Sequence, residues 1–342
     1  HGHWMMRNST SVQVNIDMVC KADGENMAFI ADCLQPFCFF LFSHVPFVRG
    51  ACVKNKNYRL HVWNNTDVSR CGYLFDHDIN KNQNLIKSVH VECGGGGKDN
   101  PVEETAWLQS LADGENSKGF PHGIVAYSDF LDPNAEQEIE MHCEYKNTRG
   151  IRYLLNFDPE NKINCFAHKE VLTDSTFKSN YALLEKYNLS FDMHLWWTQN
   201  VNANNLIKSY QNILSIINHA GTPRKRDSEY LSNWRNGLKL LAENSNTVIK
   251  ISGLGMFDQQ WTTESIRPLV MDCIEIFGVD RSFFSTNFPV DRLFSSYKKV
   301  WDAYFKITND FSLDEKEKLF FKNAEKYYLS LIHISEPTRQ ER

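Results

Sequence analysis

Residues 281–297 read RSFFSTNFPVDRLFSSY. The apolar run ending at Phe288 has the length of a buried strand, breaks at Pro289 and leads into a helix. At the break stand Asn287 and, four residues on, Asp291. A hydrolytic site at such a strand end is expected to carry a carboxylate that takes a proton from water. This chain offers an amide instead.

Working outward, apolar runs of strand length alternate with helical stretches from about Tyr73 onward, the pattern of parallel βαβ units. The strands read as Ile86–Glu92, Gly123–Phe130, Gly150–Phe157, Leu189–Trp197, Asn212–His219, Thr247–Leu254 and Ser282–Phe288. Helical patterns follow Pro101 and Asn134 and run through TFKSNYALLEKY, SEYLSNWRNGLKLLAEN and TESIRPLVMDCIEIFG. Pro101 suits a first helical turn and Gly278 a helix stop. Seven such strands and an eighth from the N-terminal part predict an α/β chain of the (β/α)8 TIM-barrel type, with its site at the C-terminal ends of the strands. The first strand is not fixed: SVQVNI (residues 11–16) and YRLHVW (residues 58–63) both alternate. An open doubly wound sheet is the structural alternative. The GGGG run at residues 94–97 lacks the spacing of a phosphate-binding fingerprint.

Three segments follow: an irregular region 1–70 that can include the first strand, a barrel over 71–328, and a tail 329–342 that resembles a translated sequencing adapter and reads as non-native. At 342 residues, 42% hydrophobic and 13% aromatic, the chain has ample core for one barrel. A net charge of −5 argues against a nucleic-acid partner. The apolar run Phe37–Val48 is shorter than a membrane span and contains Pro46, which argues against a membrane partner. Nine cysteines, an odd number without a C-x-x-C pair, point to a reducing compartment, hence a cytoplasmic location. Cys93 could be a nucleophile but reads better as a small incidental thiol. The sequence sets no oligomeric state.

Strand periodicity sorts the polar residues. Val89 and Val91 read as facing helices, with Ser88, His90 and Glu92 facing inward. Ser190, Asp192, His194 and Trp196 share one face, as do Arg152 and Asn156, and Lys250 and Ser252. Trp107 and Trp234 fit helix faces as core. The inward set is either an internal ion-pair lattice or a pocket for an anionic or oxygen-rich small molecule.

The stretches KSVHVE…DNPVEETAWLQSLA, GIVAYSDF, TRGIRYLLNFDPE, LLEKYNLSFDMHLWWTQ, IINHAGTP, NTVIKISGLGMFD, FGVDRSFFSTNFPVD and FFKNAEKYY together resemble the amidohydrolase-related barrel hydrolases, including 2-pyrone-4,6-dicarboxylate lactonase and L-fuconolactonase-like proteins. The resemblance covers residues 73–328. It implies opening of a lactone or related cyclic ester or amide by water. His219, in NHAGTP, matches a family histidine that ends the sixth strand. Asn287 stands where the family's water-activating aspartate is expected. An amide cannot be a base, so proton transfer falls to His219, His194 or Asp291, with Asn287 orienting water. Asp291 reads equally as a helix N-cap. Arg152 matches a family arginine that faces a substrate carboxylate, or else pairs with Asp129 or Asp192. The catalytic candidates are thus His219, Asn287 and Asp291, and the substrate-binding candidates Arg152, His194, Glu92, Trp196 and Lys250. The family's metal-binding H-x-H pair has no clean match in HGHW (residues 1–4) or RLHVW (residues 59–63), so no metal and no cofactor is expected. Alternatives are a metal-dependent decarboxylase-type relative and a non-catalytic small-molecule-binding barrel.

Overall fold

The computed structural model describes the backbone of Phe47–Val48 and Ala51–Cys52, and residues 85–93, 100–160 and 165–330. The chain divides into two units, His1–Leu85 and Ile86–Arg342. In the first, β1 (Phe47–Val48) and β2 (Ala51–Cys52) form an antiparallel pair. Both candidates for a first barrel strand lie outside the described residues, as does nearly all of the tail.

The second unit holds seven parallel strands paired in chain order. These are β3 (Val89–Val91), β4 (Gly123–Tyr127), β5 (Thr148–Leu154), β6 (Ser190–His194), β7 (Ser215–Ile217), β8 (Thr247–Ile251) and β9 (Ser282–Phe284). Between them run α1 (Val102–Ala112), α2 (Ala135–Cys143), α3 (Ser175–Lys186), α4 (Asn200–Ser209), α5 (Ser228–Ala242) and α6 (Thr263–Phe277). Beyond β9 lie α7 (Tyr297–Ile307), α8 (Leu313–Glu317) and a last turn, Glu325–Leu329. Local chemistry sets the helix ends. The Asp174 carboxylate accepts from Thr176 N at 2.9 Å to start α3, Asp227 accepts from Tyr230 N at 2.9 Å to start α5, and Gly278 ends α6 at φ 76°. Asn-rich α4 carries little helical signal and forms because Ala203, Leu206 and Ile207 are buried.

Each strand presents two faces. Ile151, Phe191, Met193, Ile249, Ile251 and Phe284 join one large cluster with helix residues such as Phe177, Trp234, Leu238 and Val270. Each such fully buried side chain contributes about 1.5–3 kcal/mol. Val125, Ile216, Val248 and Phe283 face the other way, onto Tyr327 and Tyr328 of the last turn. Val89 and Val91 pack on this inner cluster too, so residues of both edge strands meet there and the sheet is curled. This corrects the reading of β3: its valines face inward, while His90 points to α1, where its Nε2 lies 2.8 Å from Glu104 Oε1. Trp234 is core as expected. Trp107 is 56% exposed because α1 turns that side to solvent.

Candidate active site at the strand ends

Two imidazoles form the centre. His194 is the last residue of β6, and His219 follows β7. Their ring centroids lie 4.9 Å apart with an edge-to-face angle of 75°. His219 Nδ1 lies 2.9 Å from Ser252 Oγ, just past β8. The backbone bends sharply to place it, with His219, Ala220 and Thr222 all left-handed at φ 52°, 55° and 51°. Non-glycine residues in this region store strain that functional sites tend to carry. Burial pushes the His194 pKa down to about 3, and the cations Arg152 and Lys250 add to the effect. Burial, then His194, Lys250 and Arg152, hold His219 well below its ordinary value. Both rings are therefore neutral at pH 7. Among the described residues, His194 Nε2 is buried without a hydrogen-bond partner.

Cations flank the imidazoles. Arg152 of β5 donates through Nε to Glu92 Oε1 at 2.8 Å and through Nη2 to the Glu92 carbonyl. Deeper, Lys250 Nζ donates to Asp192 Oδ1 at 2.7 Å and to the Tyr328 hydroxyl at 3.1 Å, and Tyr328 donates to the same carboxylate oxygen at 2.8 Å. Burial lowers the Lys250 pKa while Asp192 opposes the shift. Beyond β6, the buried Trp196 carries the Arg224 guanidinium at 4.2 Å from its ring, and Arg224 Nη2 donates to Asp158 Oδ2 at 2.7 Å.

Asn287 adopts φ 57° and donates through Nδ2 to Asp291 Oδ1 at 2.7 Å. Burial raises the Asp291 pKa to about 6 while the Asn287 bond opposes the rise. Asp291 is no helix cap: Ser296 caps α7, accepting from Lys299 N at 3.1 Å. No hydrogen bond or ring contact joins Asn287 or Asp291 to the two histidines among the described residues. Strand spacing sets the ends of β7 and β9 about 10 Å apart. Arg152 pairs with neither Asp129 nor Asp192. Asp129 accepts from Tyr153 OH at 3.0 Å, and Asp192 takes Lys250.

Sequence reasoning set one amide, Asn156, on the inward face without a role and passed over a second, Asn218. Asn156 shares the face of Arg152, and Asn218 that of Ile216. Both are fully buried, and neither carboxamide has a hydrogen-bond partner among the described residues. Leaving a buried polar group unpaired costs about 1–3 kcal/mol, so such groups point to a ligand or to water. Their signal was positional: each stands two residues past an inward-facing strand residue.

The family's divalent ion can be tested against these donors. The described mouth offers two imidazoles, while Asp291 and Asn287 bind each other and Asp192 binds Lys250. A catalytic zinc takes three protein ligands. The described residues do not fit an ion there; His1, His3 and His61 lie outside them.

The parallel α/β sheet is a fold shared with known proteins. The family model described as Amidohydrolase matches residues 101–329, and the chain belongs to that family. It is 42% identical over 248 residues to uncharacterized protein y4mH of Sinorhizobium fredii, covering 72% of this chain and 82% of that protein. It is 26% identical over 243 residues to L-fucono-1,5-lactonase of Burkholderia multivorans, covering 67% of this chain and 76% of the lactonase. Among solved structures, an amidohydrolase from Burkholderia multivorans with bound HEPES aligns at a TM-score of 0.63 and 24% identity, over 75% of this chain and 87% of that one. No helix among the described residues is long and apolar enough to cross a membrane.

Proposed function

We propose that this protein is a hydrolase that opens a lactone or related cyclic ester or amide, in a barrel of the (β/α)8 type. The observation that carries the reading is the neutral His194–His219 pair, braced by Ser252 and flanked by Arg152 and Lys250. With Nδ1 protonated and donating to Ser252, His219 Nε2 presents a lone pair to water. Water attacks the carbonyl carbon as its proton passes to that nitrogen. The imidazolium then returns the proton to the departing ring oxygen or nitrogen. Arg152 and Lys250 lower the energy of the oxyanion, a contribution larger in a buried site than in water. Asn156, Asn218 and His194 Nε2 offer hydrogen bonds to substrate oxygens. Asp291, with its pKa near 6, is the second candidate base, oriented by Asn287. The L-fucono-1,5-lactonase relative favours this substrate class.

The experiment is turnover of a panel of sugar and dicarboxylate lactones. Hydrolysis of one of them, lost about 10²–10⁴-fold in His219→Ala, is the expected result. No turnover across the panel would leave a binding barrel as the better reading, and unchanged rates in His219→Ala would move the base to Asp291.

A further inference from the structure

We propose that His90, Cys93 and Glu104 form a binding site for a borderline-soft divalent cation of the zinc class, on the helix side of β3 and apart from the strand-end histidines. The three residues bring an imidazole nitrogen, a thiol sulfur and a carboxylate oxygen within 4.8 Å of one another. They come from two adjoining elements. His90 lies in β3, Cys93 two residues past its end, and Glu104 in the first turns of α1.

All three groups converge on one atom. Glu104 Oε1 lies 2.8 Å from His90 Nε2 and accepts from Cys93 N at 2.9 Å and from Cys93 Sγ at 3.4 Å. Zinc binds imidazole nitrogen and carboxylate oxygen near 2.0–2.2 Å and thiolate near 2.3 Å, in tetrahedral geometry. Those bond lengths place neighbouring ligand atoms about 3.3–3.6 Å apart. The observed spacings therefore need only small side-chain rotations to admit an ion. Two of the three donors are nitrogen and sulfur, which select zinc, cobalt or iron over magnesium and calcium.

Without an ion, the Cys93 thiol keeps its proton against Glu104; burial and then the neighbouring carboxylate push its pKa up to about 12. A bound cation replaces that proton between sulfur and oxygen, so binding releases it. Glu104 is 7% exposed, whereas Cys93 as a residue is exposed, which gives an ion a way in. Glu92, two residues from His90, is taken up by Arg152, and its charge adds to the rise in the Cys93 pKa.

The test is cobalt(II) titration of the full chain after chelator treatment. The expected result is one equivalent bound with a thiolate-to-cobalt charge-transfer band, which zinc displaces and which protects Cys93 from a thiol reagent. Cys93→Ser should abolish the band and weaken zinc binding about 100-fold or more, and His90→Ala should weaken it comparably. His194→Ala, at the strand-end pair, should keep the band. A wild-type protein without the band, or a Cys93→Ser variant that binds zinc as tightly as wild type, overturns the assignment. The outcome is independent of lactone hydrolysis.

Discussion

Gly253 makes room for His219: a Cβ at position 253 would lie 2.8 Å from His219 Nδ1. The glycine also adopts φ 63°, which disfavours any side chain. Gly253→Ala should displace the imidazole from Ser252 and lower lactone hydrolysis about 10²-fold, since small misplacements of a reacting group are costly. Ser252→Ala should lower it less, because the ring keeps its place. Steady-state kinetics of both variants decide the point. Equal wild-type rates would detach this contact from catalysis.

Acid should unfold the protein through its buried histidines. His194 has a folded pKa of about 3, below its ordinary 6.5. A depressed folded pKa contributes stability that is complete above pH 6.5 and is lost as the pH falls towards 3, because the unfolded chain binds the proton first. His219 acts in the same direction. Thermal melts should therefore show Tm falling from pH 6.5 downward, with a shallower fall in His194→Gln. Parallel curves for the two proteins would mean that His194 is not buried as described.

The Lys250–Asp192 pair should be expensive to break from one side. Its groups are 5% and 0% exposed. Lys250→Ala leaves a buried carboxylate short of its cation, and a loss of about 3–5 kcal/mol is expected. Tyr328→Phe removes two hydrogen bonds, the one it donates to Asp192 and the one it accepts from Lys250, each to a charged group and worth about 1.5–3 kcal/mol. Urea denaturation measures both. A Lys250→Ala variant within about 1 kcal/mol of wild type would mean that water reaches Asp192.

Restoring a carboxylate at position 287 carries its own pH signature. Asn287→Asp would set two carboxylates where the amide donates at 2.7 Å, and the pair would share a proton near neutrality. Asp291 alone has a raised pKa of about 6, so its contribution to stability is complete below pH 3.8 and lost as the pH rises through 6. The variant should be less stable than wild type at pH 8 and close to it at pH 5, as read from Tm. Equal Tm at pH 8 would separate the two side chains.

The seven strands are legible in the sequence because a two-residue period survives wherever one face meets helices. Caps such as Gly278 are legible because local geometry demands them. What fails is which face turns inward. In β3 the valines and the His90 set alternate equally well, and only Glu104 on the next helix decides. Helix α4 is hidden by its asparagines, whose burial is a tertiary matter. His219 and His194 are readable from their places at strand ends. The partners of Arg152 and Asp291 are not, since three acids competed for the arginine and Ser296 competed for the helix cap. Tyr328, 136 residues from Asp192, has no local signal at all.

Biosynthesis delivers the strands of this sheet in the order in which they pair. The phenol that covers the buried ion pair emerges after all seven described strands, in the turn at Glu325–Leu329. A nascent chain can thus lay down every strand on the ribosome while its floor stays open to water. A nonsense codon just before that turn would release a product with a complete sheet and a wet, unsealed interior.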